Sequence, residues 1–155
     1  MVVRAKKEEA PLRSRAAIFG HPIHPMLVHF PIVCFVGALA TDLAYWNSAN
    51  IMWANFSIWL ITVGLVFGTL AALAGLIDFI GNRAIRALWI AWAHMGVNVV
   101  VMILSTFNAF VHSRDGWTSV VPTGLTLSII VVLLLAVSGV LGSAMVYRHG
   151  AGVSR

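Results

Sequence analysis

Four apolar stretches, at residues 26–46, 56–80, 87–111 and 123–147, each reach the length of about 20 residues that a helix needs to cross roughly 30 Å of hydrocarbon. No other feature narrows the fold as far. The breaks between them are short or rich in turn formers: Asn47-Ser48-Ala49-Asn50, Gly81-Asn82-Arg83, and the segment 112–122, which ends in Pro122. Short connections make sequence neighbours antiparallel neighbours, so the expected fold is an all-α membrane protein with four transmembrane helices in an up-and-down bundle. A transmembrane β-barrel would need alternating ten-residue segments, and the chain has none. Charged residues are 10% of the 155 and hydrophobic residues 60%, against about 25% charged in a soluble domain. A soluble globule, a disordered chain, a coiled coil and collagen are thereby excluded. The expected organisation is a basic arm over residues 1–19, a membrane domain over 20–153 and a short tail over 154–155.

The net charge of +5 suggests nucleic acid until the cations are placed. Arg4, Lys6, Lys7, Arg13 and Arg15 lie in the arm, Arg83 and Arg86 in the second connection, and Arg148 and Arg155 in the tail. Nine of the ten Lys and Arg residues thus fall on one side, with Arg114 alone on the other. By the positive-inside rule both termini are expected in the cytoplasm, with the chain in the inner membrane of a bacterium and no nucleic-acid partner. Trp46 and Trp53 at one side and Trp89 and Trp92 at the other suit interfacial belts. The basic arm followed by an apolar run resembles a cleavable signal peptide. Glu8 and Glu9 in the arm and His29 and Pro31 in the run argue against it.

Polar residues inside spans are informative because each costs free energy unless paired or useful. On the third span His94, Asn98, Ser105, Asn108 and His112 lie within about 40° of one line, a stripe of about 27 Å. The stripe suits a cofactor face, a water path or a proton relay, and equally interhelical hydrogen bonding. The second span carries Gly64, Gly68, Ala71, Gly75 and Asp78 on one face, where small residues let a neighbour or a flat ring approach. Asp78 can pair with Arg83 or Arg86, or serve a site. The fourth span adds Ser138, Gly142, Met145 and His149 on one face.

The first span opens with Gly20-His21-Pro22-Ile23-His24-Pro25-Met26-Leu27-Val28-His29-Phe30-Pro31. Pro22 and Pro25 suit an extended approach and a helix start, while Pro31 should kink the span or mark a late start. His21, His24 and His29 cannot share one regular helical face, but they can converge if the segment is part loop and part helix. Five of the six histidines, His21, His24, His29, His94 and His149, gather on the expected cytoplasmic side. The single cysteine, Cys34, excludes an intrachain disulfide and a cysteine-based zinc or iron–sulfur site. It reads as a small packing residue, not a nucleophile.

These residues resemble a bacterial membrane-protein family termed "domain of unknown function 2231". The resemblance rests on Gly20 to Ile32, on Ala74-Gly75-Leu76-Ile77-Asp78, on His94 with Asn98, and on Ser138 to Gly142 with Tyr147 to Gly150. It runs from about residue 20 to 153. Fusions of such relatives to Rieske iron–sulfur or c-type cytochrome domains imply respiratory electron transfer. This chain lacks a Cys-x-x-Cys-His haem-attachment sequence, so a redox partner of that kind, or a quinone, would be a separate molecule.

The leading expectation is a b-type haem subunit that moves electrons and is not an enzyme on its own. Bis-histidine ligation needs two imidazoles from different helices at similar depth. His29 lies about 4–6 Å and His94 about 10 Å below the starts of their spans, a mismatch under one helical turn. His29 and His94 are therefore the expected iron ligands, with Met145, His149, His24 or His21 as alternatives. Asn98 lines the site, and Arg83, Arg86, Arg148, Tyr147 or His21 meet the propionates. A second reading is a divalent transition metal held by His24, His149 and Asp78 with the other imidazoles, or a proton path. A third is a structural subunit, in a larger complex or a homo-oligomer.

Overall fold

The computed structural model describes residues 12–113 and 120–152. Arg4, Lys6, Lys7, Arg114 and Arg155 of the charge argument, and the tail, lie outside the described residues. The chain enters through a two-strand hairpin, β1 (Ala17–Ile18) and β2 (His21–Pro22), paired antiparallel. Its turn is Phe19 and Gly20 at φ 49° and 81°, the two left-handed positions that a two-residue hairpin loop requires.

Helix α1 (Ile23–Leu27) follows directly, and α2 (His29–Ser48) begins after a break at Val28. Pro31 has no N–H to return to Leu27, so the break falls one turn before it: of the two expected outcomes, the span is interrupted and does not start late, since helix already begins at Ile23. Left-handed Ala49 ends α2. Asn50 then caps α3 (Ile51–Gly81), its side chain accepting from Met52 N at 3.0 Å. That cap starts the helix at 51, five residues ahead of the apolar run at 56. Asn82 repeats the device for the one-turn α4 (Arg83–Arg86), accepting from Ala84 N at 3.0 Å. Helix α5 (Trp89–His112) and α6 (Leu125–His149) complete the bundle, the latter entered through the turn Val120–Gly124 and closed by left-handed Gly150.

Four helical stretches are long and apolar enough to cross a membrane. Helix α2 packs on α3 and α6, and α5 packs on the same two. The first and third spans are therefore diagonal, as an up-and-down ring of four helices demands. All described arginines, Arg13, Arg15, Arg83, Arg86 and Arg148, belong to one end, called here the basic end.

Phe35, Ala38, Ile61, Val101 and Val131 are buried together in a layer across the middle. Gly64 makes that layer possible: a Cβ there would lie 2.7 Å from Phe35 Cε1. Large apolar side chains such as Trp59, Val66, Leu133 and Val140 point outward, the inversion that a lipid solvent permits.

Candidate functional site

The polar residues inside the bundle separate into two groups, one on each side of the apolar layer. The group at the basic end has a member from each span. His24 of α1 donates from Nδ1 to Ala71 O of α3 at 2.7 Å. His94 of α5 donates from Nδ1 to Ser138 O of α6 at 3.1 Å. A carbonyl can only accept, so each ring carries a proton on Nδ1, and Nε2 is the nitrogen that the main chain does not use. Asn98 Nδ2 donates to His94 O and to Ser138 Oγ, both at 2.7 Å, and reaches His94 Nε2 at 3.3 Å. The two imidazoles meet edge-on, with centroids 6.1 Å apart and planes at 84°.

Glycines seat both rings. A Cβ on Gly75 would lie 3.0 Å from His24 Nδ1, and one on Gly142 would lie 3.3 Å from His94 Cε1. The small-residue faces of the second and fourth spans thus admit the imidazoles themselves.

The second group closes the opposite end. Asp42 of α2 is fully buried and accepts from Ser57 Oγ of α3 at 2.5 Å and Ser128 Oγ of α6 at 2.6 Å. His112 of α5 adds Nε2 at 2.9 Å. Each bond comes from a different helix, so one carboxylate ties all four spans together. Asn108 donates to Ser128 Oγ at 2.9 Å, and His112 Nδ1 donates to Asn108 O at 3.0 Å. Since that nitrogen carries a proton, the short contact between His112 Nε2 and Asp42 requires a second proton between them. With Ser57 committed to Asp42, Thr41 Oγ1 is the donor in its 2.7 Å contact with Ser57. Ser105 Oγ and Asn108 Oδ1 have no hydrogen-bond partner among the described residues.

The remaining expected residues fall as follows. His29 opens α2 and is exposed, so the structure brings His24 and not His29 against His94. His21 is exposed in the hairpin, and Tyr147, Arg148 and His149 are exposed at the end of α6, with Met145 half-buried. The three neighbouring histidines belong to three elements, β2, α1 and α2, and only His24 turns inward. Asp78 pairs with neither Arg83 nor Arg86. It accepts from Ser14 Oγ at 2.7 Å, Arg15 N at 2.6 Å and Ala16 N at 2.8 Å, holding the entering chain against α3. Arg86 Nη1 donates to Phe79 O and Ile80 O. Among the described residues no three His, Cys, Asp or Glu side chains converge, so His24, His149 and Asp78 do not form one metal-binding set.

The Asp42–His112 pair was not anticipated as a site. Its signal was depth: Asp42 lies under two turns before the end of α2, and His112 ends α5, so parallel spans two apart bring them to the same end of the bundle.

Fold and polar interior define a four-span helical membrane protein with a two-imidazole site in one half. The chain belongs to the family of predicted membrane proteins termed domain of unknown function 2231, whose family model matches residues 20–155. No curated protein and no solved structure matches it.

Proposed function

We propose that the chain is a b-type haem subunit for electron transfer, with His24 and His94 as the residues that would hold the iron. The observation that carries this is the close approach of two imidazoles from the first and third spans, both with Nδ1 held by main-chain carbonyls. Metal-binding histidines are oriented in this way, the second nitrogen fixing the ring while Nε2 serves the metal. Iron held at His94 Nε2 would need Asn98 Nδ2, which is 3.3 Å from that nitrogen, to turn aside from the lone pair. With that adjustment the two imidazoles are the donors that would hold the group.

A haem iron bound there supplies reversible one-electron chemistry. The chain's own work is to orient both rings and to keep them in a low-dielectric bundle. Tyr147 and Arg148, about 8–9 Å beyond the Gly142 seat along α6, are the polar groups for propionates. Arg83 and Arg86 surround a separate cavity. The distribution of cations supports a cytoplasmic-membrane protein with the basic end in the cytoplasm, where its redox partner is a separate chain or a quinone. The apolar layer of Phe35, Ala38, Ile61, Val101 and Val131 interrupts the α5 stripe, which weighs against a continuous ion or proton path.

An absorption spectrum of the purified protein, oxidised and then dithionite-reduced, tests the reading. The expected result is a Soret band and a reduced α-band that His94→Ala and His24→Ala each abolish and His29→Ala leaves in place. A colourless protein from haem-sufficient cells would overturn it.

A further inference from the structure

At the basic end the chain builds a cavity of about 460 Å³ against the α3–α4 turn, and four of its lining residues are arginines: Arg13, Arg15, Arg83 and Arg86. Like charges gathered around one space repel unless an anion lies between them. The acidic side chains among the described residues are Asp42 and Asp78. Asp42 is at the other end of the bundle, paired with His112. Asp78 adjoins the cavity, but its oxygens are taken by Ser14 Oγ and the N–H groups of Arg15 and Ala16. Among the described residues no guanidinium in the group has a carboxylate partner.

The surroundings are built, not incidental. Asp78 holds Ser14, Arg15 and Ala16, and Asn82 Nδ2 donates to Arg13 O at 3.3 Å, so two residues of α3 and its cap fix the strand that carries Arg13 and Arg15. Trp92 Nε1 donates to Arg86 O at 3.0 Å and fixes the other wall. Helix α3 has 31 residues, about 46 Å, which matches the roughly 40–45 Å of a bilayer with its headgroups. Its end, and the cavity on it, therefore stands at the level of the lipid phosphates.

We propose that this cavity binds a phosphate-bearing anion through the forked guanidiniums of Arg13, Arg15, Arg83 and Arg86. Planar two-pronged donors suit phosphate oxygens better than point charges do. A phospholipid phosphodiester with net negative charge is the source that the depth favours, and inorganic phosphate shares its chemistry. This assignment does not depend on the haem reading.

The test uses the full chain in detergent and native mass spectrometry after incubation with phosphatidylglycerol, phosphatidylcholine or inorganic phosphate. Phosphatidylglycerol should be retained at about one per chain, and Arg13→Gln with Arg83→Gln should weaken retention about tenfold or more, the loss expected for at least one charge-assisted bond. Asp78→Ala separates a built site from a diffuse charge effect. It removes a negative charge, so simple attraction of anions would strengthen, whereas a site that depends on the held segment weakens. Helical circular dichroism and the melting curve of each variant report whether it is folded. Displacement of phosphatidylglycerol by millimolar phosphate identifies a site that reads phosphate alone and takes it from solution. Equal retention of phosphatidylcholine, unchanged retention in the folded arginine variant, or tighter retention in Asp78→Ala would each overturn the proposal.

Discussion

The two polar groups inside the bundle draw on the same residue types, yet one is closed and the other is open. At the Asp42 end, both carboxylate oxygens and both His112 nitrogens are engaged, and both residues are buried. At the His24 end, each ring uses only Nδ1 for the main chain, the rings are half-buried, and His24 Nε2 has no partner among the described residues. The Asp42–His112 pair spends its bonding capacity on joining helices, although Asn108 Oδ1 beside it has no hydrogen-bond partner among the described residues. An unsaturated pair holds groups in place and leaves capacity for something else. The contrast separates architecture from chemistry where residue type alone does not.

The comparison can be broken most directly at His112. His112→Ala removes one partner of a buried pair and should cost about 3–5 kcal/mol, read as a large fall in the melting temperature in detergent. His24→Ala and His94→Ala should cost far less while removing any haem signal. If the losses were equal, the division between the two ends would fail. Next in size, Ser57→Ala and Ser128→Ala each strip one donor from a buried carboxylate, and about 1–3 kcal/mol is expected for each. At the open end, Gly75→Ala pushes a Cβ against His24 Nδ1 at 3.0 Å. It should shift or bleach the haem spectrum with under about 1 kcal/mol lost, because the ring can give way. A melting curve set beside a spectrum checks this, and an unchanged spectrum would mean that His24 is no ligand. Ser105→Ala should be close to neutral, or slightly stabilising, since its hydroxyl has no partner among the described residues.

The spans were legible because apolar length is a local property, and four runs of it lie in the chain. Their ends were less so. Helix α3 starts at Ile51 because Asn50 caps it, and a cap is a single side chain that hydropathy does not weigh. The glycine faces were also legible, although they seat imidazoles directly. What could not be read was which histidine turns inward. Counting rise from the start of a span favoured His29. The hairpin at Phe19–Gly20 and the break at Val28 instead rotate the entering chain so that His24 meets Ala71 and His94. That choice depends on backbone angles at two short elements, not on periodicity. Asp78 was placed correctly on the inner line of its helix. Its partners were missed because two of them are backbone N–H groups, which have no letter in a sequence.

The apolar layer between the two groups has an electrical consequence. Asn98 and Ser105 on α5 are about 10 Å apart along the axis, with buried Val101 between them. A transmembrane voltage falls mostly where the medium polarises least, and in this bundle that is the layer of Phe35, Ala38, Ile61, Val101 and Val131. The His24–His94 pair lies on the basic side of the drop and so shares most of the potential of that side. A charge reaching the pair from the basic side crosses little of the field. One arriving from the Asp42 side works against nearly all of it, about 2.3 kcal/mol for each 100 mV. The bundle is in this sense a capacitor whose functional plate is next to its arginines.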